Sequence, residues 1–232
     1  PNGAGKSTTM RMLMGLSSIT TGKLLLFGTP VESLSHNEKA RIGHVPQENN
    51  FDPDISVEEN LKIFGRYFNL SRSLIEKRVS KILNFMHLSE KASYPVNTLS
   101  GGMKRRLIIG RSLISDPSLV ILDEPTTGLD PQARALIWSK LAELKSEGKT
   151  LLLSTHYMDE AQRLCDHVII IDRGIILDLG TPDDLILRHA GRMVVEVNKP
   201  HDVKKFQGQW VAEDTGDTVL YFLETPKSLL DN

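Results

Sequence analysis

Leu119-Val120-Ile121-Leu122 is an unbroken apolar run that leads directly into two carboxylates, Asp123 and Glu124. A strand with one wet face alternates apolar and polar side chains. A run without alternation belongs to a strand covered on both sides, as in a parallel sheet between layers of helices. Residues 151–154 and 168–171 repeat the pattern, and helical spacing at 101–115, at 132–147 and from Met158 alternates with these strands. The second helix is opened by Asp130-Pro131 and closed by Gly148, the usual start and stop chemistry. The fold class is therefore α/β with a parallel sheet. Upstream, residues 24–27 and 41–45 read as two short strands near an edge. Between the halves, Ser56 and Glu59 have capping-box spacing. Leu61, Ile63, Phe64 and Phe68, then Ile75, Val79, Ile82, Leu83 and Met86, keep a helical period, so a helical block is inserted here. From about Gly191 the character changes again: residues 193–197 and 218–222 look like strands flanking a polar stretch, a small β-rich extension.

A chain of 232 residues with 40% hydrophobic content can bury a core, and its net charge of −1 gives no whole-molecule reason to expect a nucleic-acid partner. The single cysteine, Cys165, excludes an internal disulfide and a Cys-rich metal site, and reads as a helix-packing residue suited to a reducing compartment. No stretch reaches the roughly 18–20 apolar residues of a spanning helix, so any role at a membrane must run through a partner. The chain opens on Pro1 in the middle of a glycine-rich motif, and is expected to lack its true N-terminus.

Pro1-Asn2-Gly3-Ala4-Gly5-Lys6-Ser7 fits the last seven positions of G-x-x-x-x-G-K-[ST], and an amphipathic helical pattern follows. In such a loop the backbone N–H groups of residues 2–5 close around phosphate oxygens, and the helix start adds its positive end. Lys6 would reach the β- and γ-phosphates, Ser7 would ligate Mg²⁺, and Thr8 would contact the α-phosphate. Asp123 and Glu124 sit where ligands bind in open α/β sheets, at the C-terminal end of a strand. Asp123 would hold Mg²⁺ through water, and Glu124 would polarise an attacking water as general base. Ser100, Gly101 and Gly102 open a helix and make a second anion site, with a plain N-cap as the bland alternative. The triplet Lys104-Arg105-Arg106 that follows spans one turn and is expected to form a solvated face.

These motifs, with Gln47 after Pro46, Gly128-Leu129-Asp130 and His156, stand in the order of a Walker A loop, Q-loop, signature, Walker B strand, D-loop and H-switch. In that order the chain resembles the ATP-binding domain of ABC transporters over about residues 1–190, with Met103 where the signature usually has Gln. The resemblance implies a RecA-like P-loop core with an inserted helical subdomain at about 55–115, followed by a small extension over 191–232. It implies ATP and Mg²⁺ as ligands and two domains arranged head to tail, with ATP between the Walker A loop of one and the signature of the other. Gln47 would sense the γ-phosphate and Mg²⁺, Asp130 would couple the two sites, and His156 would contact the γ-phosphate. The implied partners are a second ATP-binding domain, in a homodimer, and a separate transmembrane permease subunit that holds the chain at the cytoplasmic face of the cell membrane. Its coupling helix would sit in a groove formed by residues 45–52, 59–61 and 64–68. The aromatic residue that stacks on adenine would precede Pro1. Residues 45–68, 99–106 and 123–131 look most like ABC-2 exporter ATPases, among them nodulation-factor export and drug-resistance subunits. The rivals are non-transport ABC ATPases acting on ribosomes or DNA, which carry tandem cassettes or a long coiled coil, and a binding module with a decayed site. A single cassette with Lys6, Asp123, Glu124 and His156 all in place disfavours these.

Overall fold

The computed structural model describes residues 3–48 and 50–189, together with the backbone of 193–198, 210–214 and 218–223. The chain divides into two units, Pro1–Glu160 and Ala161–Asn232. In the first lie α1 (Lys6–Leu13), a hairpin of β1 (Leu25–Leu26) and β2 (Thr29–Pro30), α2 (His36–Lys39), β3 (Ile42–Val45), α3 (Val57–Tyr67) and α4 (Arg72–Phe85). It continues with α5 (Gly101–Ser112), β4 (Leu119–Asp123), α6 (Pro131–Ser146) and β5 (Thr150–Ser154). α7 (Met158–Leu164) spans the division.

β3, β4 and β5 form a parallel sheet in that order, with β4 in the middle. Val120, Ile121 and Leu122 are fully buried, as the unbroken apolar run requires. Met10 of α1 packs with Leu119 and Ile121, and Leu13, Leu26, Ile42 and Leu152 close around them. That contact seats α1 on the sheet and brings the loop before it to the end of β4.

The helical block forms as its caps dictate. Ser56 accepts from the Glu59 N–H and Glu59 accepts from the Ser56 N–H, a reciprocal capping box at the start of α3. In α4, Ile75, Val79, Ile82 and Leu83 make the buried stripe. α5 is different: Leu107, Ile108 and Ile109 are all buried at consecutive positions, so this helix is enclosed on nearly every side.

β3 lies so close to the end of α5 that only glycine fits at position 43. A Cβ there would meet the Ser112 carbonyl oxygen at 2.6 Å and Pro117 Cγ at 3.0 Å. Backbone does not yield as a flexible side chain does, so Gly43→Ala is expected to destabilise the protein by about 2 kcal/mol. In thermal melting this is a fall in Tm of roughly 4–8 °C; an unchanged Tm would mean that β3 and α5 can separate without loss.

The second unit continues with β6 (Val168–Asp172), β7 (Ile175–Gly180), α8 (Pro182–His189), β8 (Met193–Asn198), β9 (Trp210–Asp214) and β10 (Thr218–Leu223). Here the structure corrects the sequence reading. The run 168–171 is a strand, but it pairs antiparallel with β7. The reason is local: Arg173 and Gly174 have φ of 47° and 77°, the two left-handed residues that a tight hairpin turn demands. The extension is β-rich as expected, a three-stranded antiparallel sheet in the order β8-β10-β9, with β9 inside the stretch read as polar. Among the described residues, no helix is long and apolar enough to cross a membrane.

Candidate active site

The glycine-rich loop enters α1 through Gly5, at φ 100°, which stands at the helix N-cap with no side chain capping the first turn. The first N–H groups of α1 are thus left for an outside acceptor, and the helix start favours a negative one. Ala4 is buried and anchors the loop, while Ser7 and Thr8 are exposed. Asn2 lies outside the described residues.

Across the sheet end, Ser7 Oγ donates to Asp123 Oδ1 at 3.2 Å, joining residues 116 positions apart. The same oxygen accepts from Ser154 Oγ, because the β4–β5 register sets Asp123 opposite Ser154. Octahedral Mg²⁺ takes oxygens at about 2.0–2.1 Å, so neighbouring ligands lie roughly 2.9 Å apart. Ser7 Oγ and Asp123 Oδ1, 3.2 Å apart, are oxygen donors of the kind Mg²⁺ prefers.

Glu124 leaves the sheet at φ 46°. For a residue with a Cβ this left-handed conformation costs on the order of 1–3 kcal/mol and persists only where neighbours enforce it. Its N–H donates to Ser154 Oγ at 3.1 Å and to the Ser154 carbonyl at 3.2 Å. Thr127 Oγ1 donates to Glu124 Oε2 at 3.0 Å, and Glu124 Oε1 lies 3.4 Å from His156 Nδ1. Ser7, Asp123, Glu124 and His156 are thereby brought together at the C-terminal ends of β4 and β5.

The other expected residues lie elsewhere around this cluster. Gln47 is exposed just past β3. Ser100 caps α5, accepting from the Met103 N–H at 3.3 Å, and Asp130 caps α6, accepting from the Ala133 N–H at 2.8 Å. A Cβ on Gly102 would touch Ala133 Cβ at 3.0 Å, whereas one on Gly101 would meet nothing within 4 Å. One glycine admits α6 and the other leaves the start of α5 open.

The solvated face expected for residues 104–106 is not found. Arg105 is 5% exposed, and its guanidinium donates to five backbone carbonyls. Nε reaches Pro125 at 2.6 Å, Nη1 reaches Pro46 at 2.6 Å and Gln47 at 3.2 Å, and Nη2 reaches Asp123 and Glu124 at 2.9 Å each. Burial pulls this guanidinium down to about 10 against the opposite pull of Asp123, Glu160 and Glu124, so it remains charged at neutral pH. Arg106 donates to the Met86 and His87 carbonyls at 2.6 and 3.1 Å, closing the end of α4. The signal was the helical period: residue 105 shares a face with Ile108 and Ile109.

A second support is Glu160, fully buried in α7. Its Oε1 accepts from Thr126 Oγ1 at 2.7 Å and from Trp138 Nε1 at 2.9 Å, pinning the segment after Glu124.

Residues 1–127 match the ABC transporter family. The chain belongs to the ABC transporter ATP-binding family. Among its curated relatives, Nod factor export ATP-binding protein I of Cupriavidus metallidurans is 49% identical over 99% of this chain and 77% of its own length. The protein of the same name from Ralstonia nicotianae is 53% identical over 85% of this chain and 61% of its own. Two solved ABC structures share the fold. One is cbiO1 of Clostridium perfringens, part of the ABC transporter complex cbiONQ, at TM-score 0.73 and 29% identity, covering 81% of this chain and 79% of that one. The other is a dimeric ATP-binding cassette in a post-hydrolysis state bound to ADP and Pi, at TM-score 0.69 and 26% identity, covering 78% and 82%. As an ABC subunit with a RecA-like core, the chain binds and hydrolyses ATP to power a transporter.

Proposed function

We propose that this ABC subunit powers an exporter by closing head to tail on a second copy around two MgATP molecules. The reading is supported above all by the meeting of Ser7, Asp123, Glu124 and His156 at the ends of β4 and β5. In it, the N–H groups of residues 2–5 and Lys6 hold the β- and γ-phosphates, and Thr8 the α-phosphate. Ser7 and Gln47, with Asp123 through water, would hold Mg²⁺, which would neutralise phosphate charge when bound. Glu124 takes the proton of the attacking water, and His156 orients the γ-phosphate. Ser100, Gly101 and Gly102 present the open start of α5 to the nucleotide on the partner copy, and Asp130 lies between the two sites.

The ATPase domain spans residues 1–190, with its helical subdomain at about 55–115, and residues 191–232 form the extension. A separate permease holds the subunit at the cytoplasmic face of the membrane, and no nucleic acid takes part. Export follows from the ABC-2 resemblance and from the relatives named for Nod factor export.

The test is co-purification. Full-length protein, tagged and gently solubilised from membranes, is expected to bring down a polytopic membrane protein in stoichiometric amount, identified by mass spectrometry. Ribosomal proteins or DNA in its place would move the chain to the non-transport ABC ATPases.

A further inference from the structure

An arginine carries five N–H donors in a planar fork, and Arg105 meets five carbonyls with them. Two of those carbonyls belong to the peptide planes on either side of the Glu124 Cα. The oxygen of residue 123 marks the plane before it and the oxygen of residue 124 the plane after it, and one nitrogen, Nη2, holds both at 2.9 Å. Peptide planes are rigid, so fixing two of them around one Cα fixes its φ and ψ. The residue so fixed is the one at φ 46°, whose carboxylate faces His156. The adjacent nitrogen, Nη1, holds Pro46 and Gln47. Further along α5, Arg111 donates to the Asn50 carbonyl at 2.7 Å, so the segment after β3 is gripped from the same helix at two points.

We infer that Arg105 is a positioning residue for hydrolysis: it locks Glu124 in its left-handed conformation and ties that conformation to the turn carrying Gln47, so that base and sensor move as one with α5. The inference rests on the reading of Glu124 as the base. A lysine keeps the charge but offers donors from a single point, without the planar fork. It can satisfy some of these carbonyls and cannot hold both peptide planes and the Gln47 turn together.

In full-length protein, Arg105→Lys is expected to lower kcat at least roughly tenfold, with the Kd for ATP within about twofold of the parent. Arg105→Gln, which has lost the charge and most donors, is expected to lose more turnover with the same affinity. Thermal melting shows which variants fold, and Glu124→Gln is measured beside them. Parent-like turnover by Arg105→Lys overturns the inference, as do equal losses of turnover and ATP affinity, or failure of both Arg105 variants to fold. Each of these leaves Arg105 a scaffold residue only. If Glu124→Gln itself hydrolyses at the parent rate, it is the assignment of the base that falls. If Glu124→Gln is inactive while Arg105→Lys is not slowed, only the positioning role falls.

Discussion

Full-length protein carrying Glu124→Gln is expected to bind MgATP and to form the proposed nucleotide-dependent dimer, but to turn over about 10²–10⁴-fold more slowly than the parent. The amide has nearly the shape of the carboxylate, and its oxygen can still accept from Thr127. The backbone contacts of residue 124 with Ser154 do not involve the side chain at all. Folding and phosphate binding are thus left alone, and what disappears is a group able to take a proton from water. Single-turnover hydrolysis, set beside nucleotide affinity and size-exclusion chromatography with ATP, separates the two effects. Hydrolysis at the parent rate would remove Glu124 from the role of base. A loss of ATP affinity as large as the loss of rate would show that its charge serves binding.

The second large effect is on binding itself. In the proposed reading Lys6→Ala would remove a charge-assisted contact to the β- and γ-phosphates at the start of α1, while the loop that carries it is anchored by Ala4 and by the packing of Met10. Such contacts contribute about 1.5–3 kcal/mol each. A loss of about 3 kcal/mol would raise the Kd for ATP roughly 150-fold. Isothermal titration calorimetry with MgATP measures this directly, and an unchanged Kd would show that the N–H groups of the loop hold the phosphates without Lys6. The pair of variants makes a contrast: one subunit that closes and cannot fire, one that scarcely fills.

Much of this was legible because the signals are local. The run 119–122 specified a buried strand, Ser56 and Glu59 a helix start, and the phosphate loop with Asp123, Glu124 and His156 a candidate site whose members the structure brings together, each motif within a few residues of sequence. α8 carried a cap signal too, Thr181 with Pro182 and Asp184. It was missed because its apolar residues 185–187 are contiguous and show no helical period. β6 misled for a related reason: its apolar run looks like the interior strands, and only the turn at Arg173 and Gly174 betrays that it folds back. The support of the site was the least legible. Ser154 is tied to Asp123 through strand register, Glu160 to Thr126 across 34 positions, and Arg105 to Gln47 across 58. A basic triplet at a helix start looks like surface until one asks which face Ile108 and Ile109 must bury.

The pairing of β4 with β5 also says where this protein can vary in length. Successive side chains of a strand point to opposite faces, so one residue inserted within 119–123 or 150–154 would turn every following side chain over and carry Asp123 or Ser154 to the wrong side. The joints outside the ladder, at 113–118 and 147–149, face no such parity. A change of length there leaves the alternation of faces intact, whereas within the ladder the residue count decides which face Asp123 and Ser154 present.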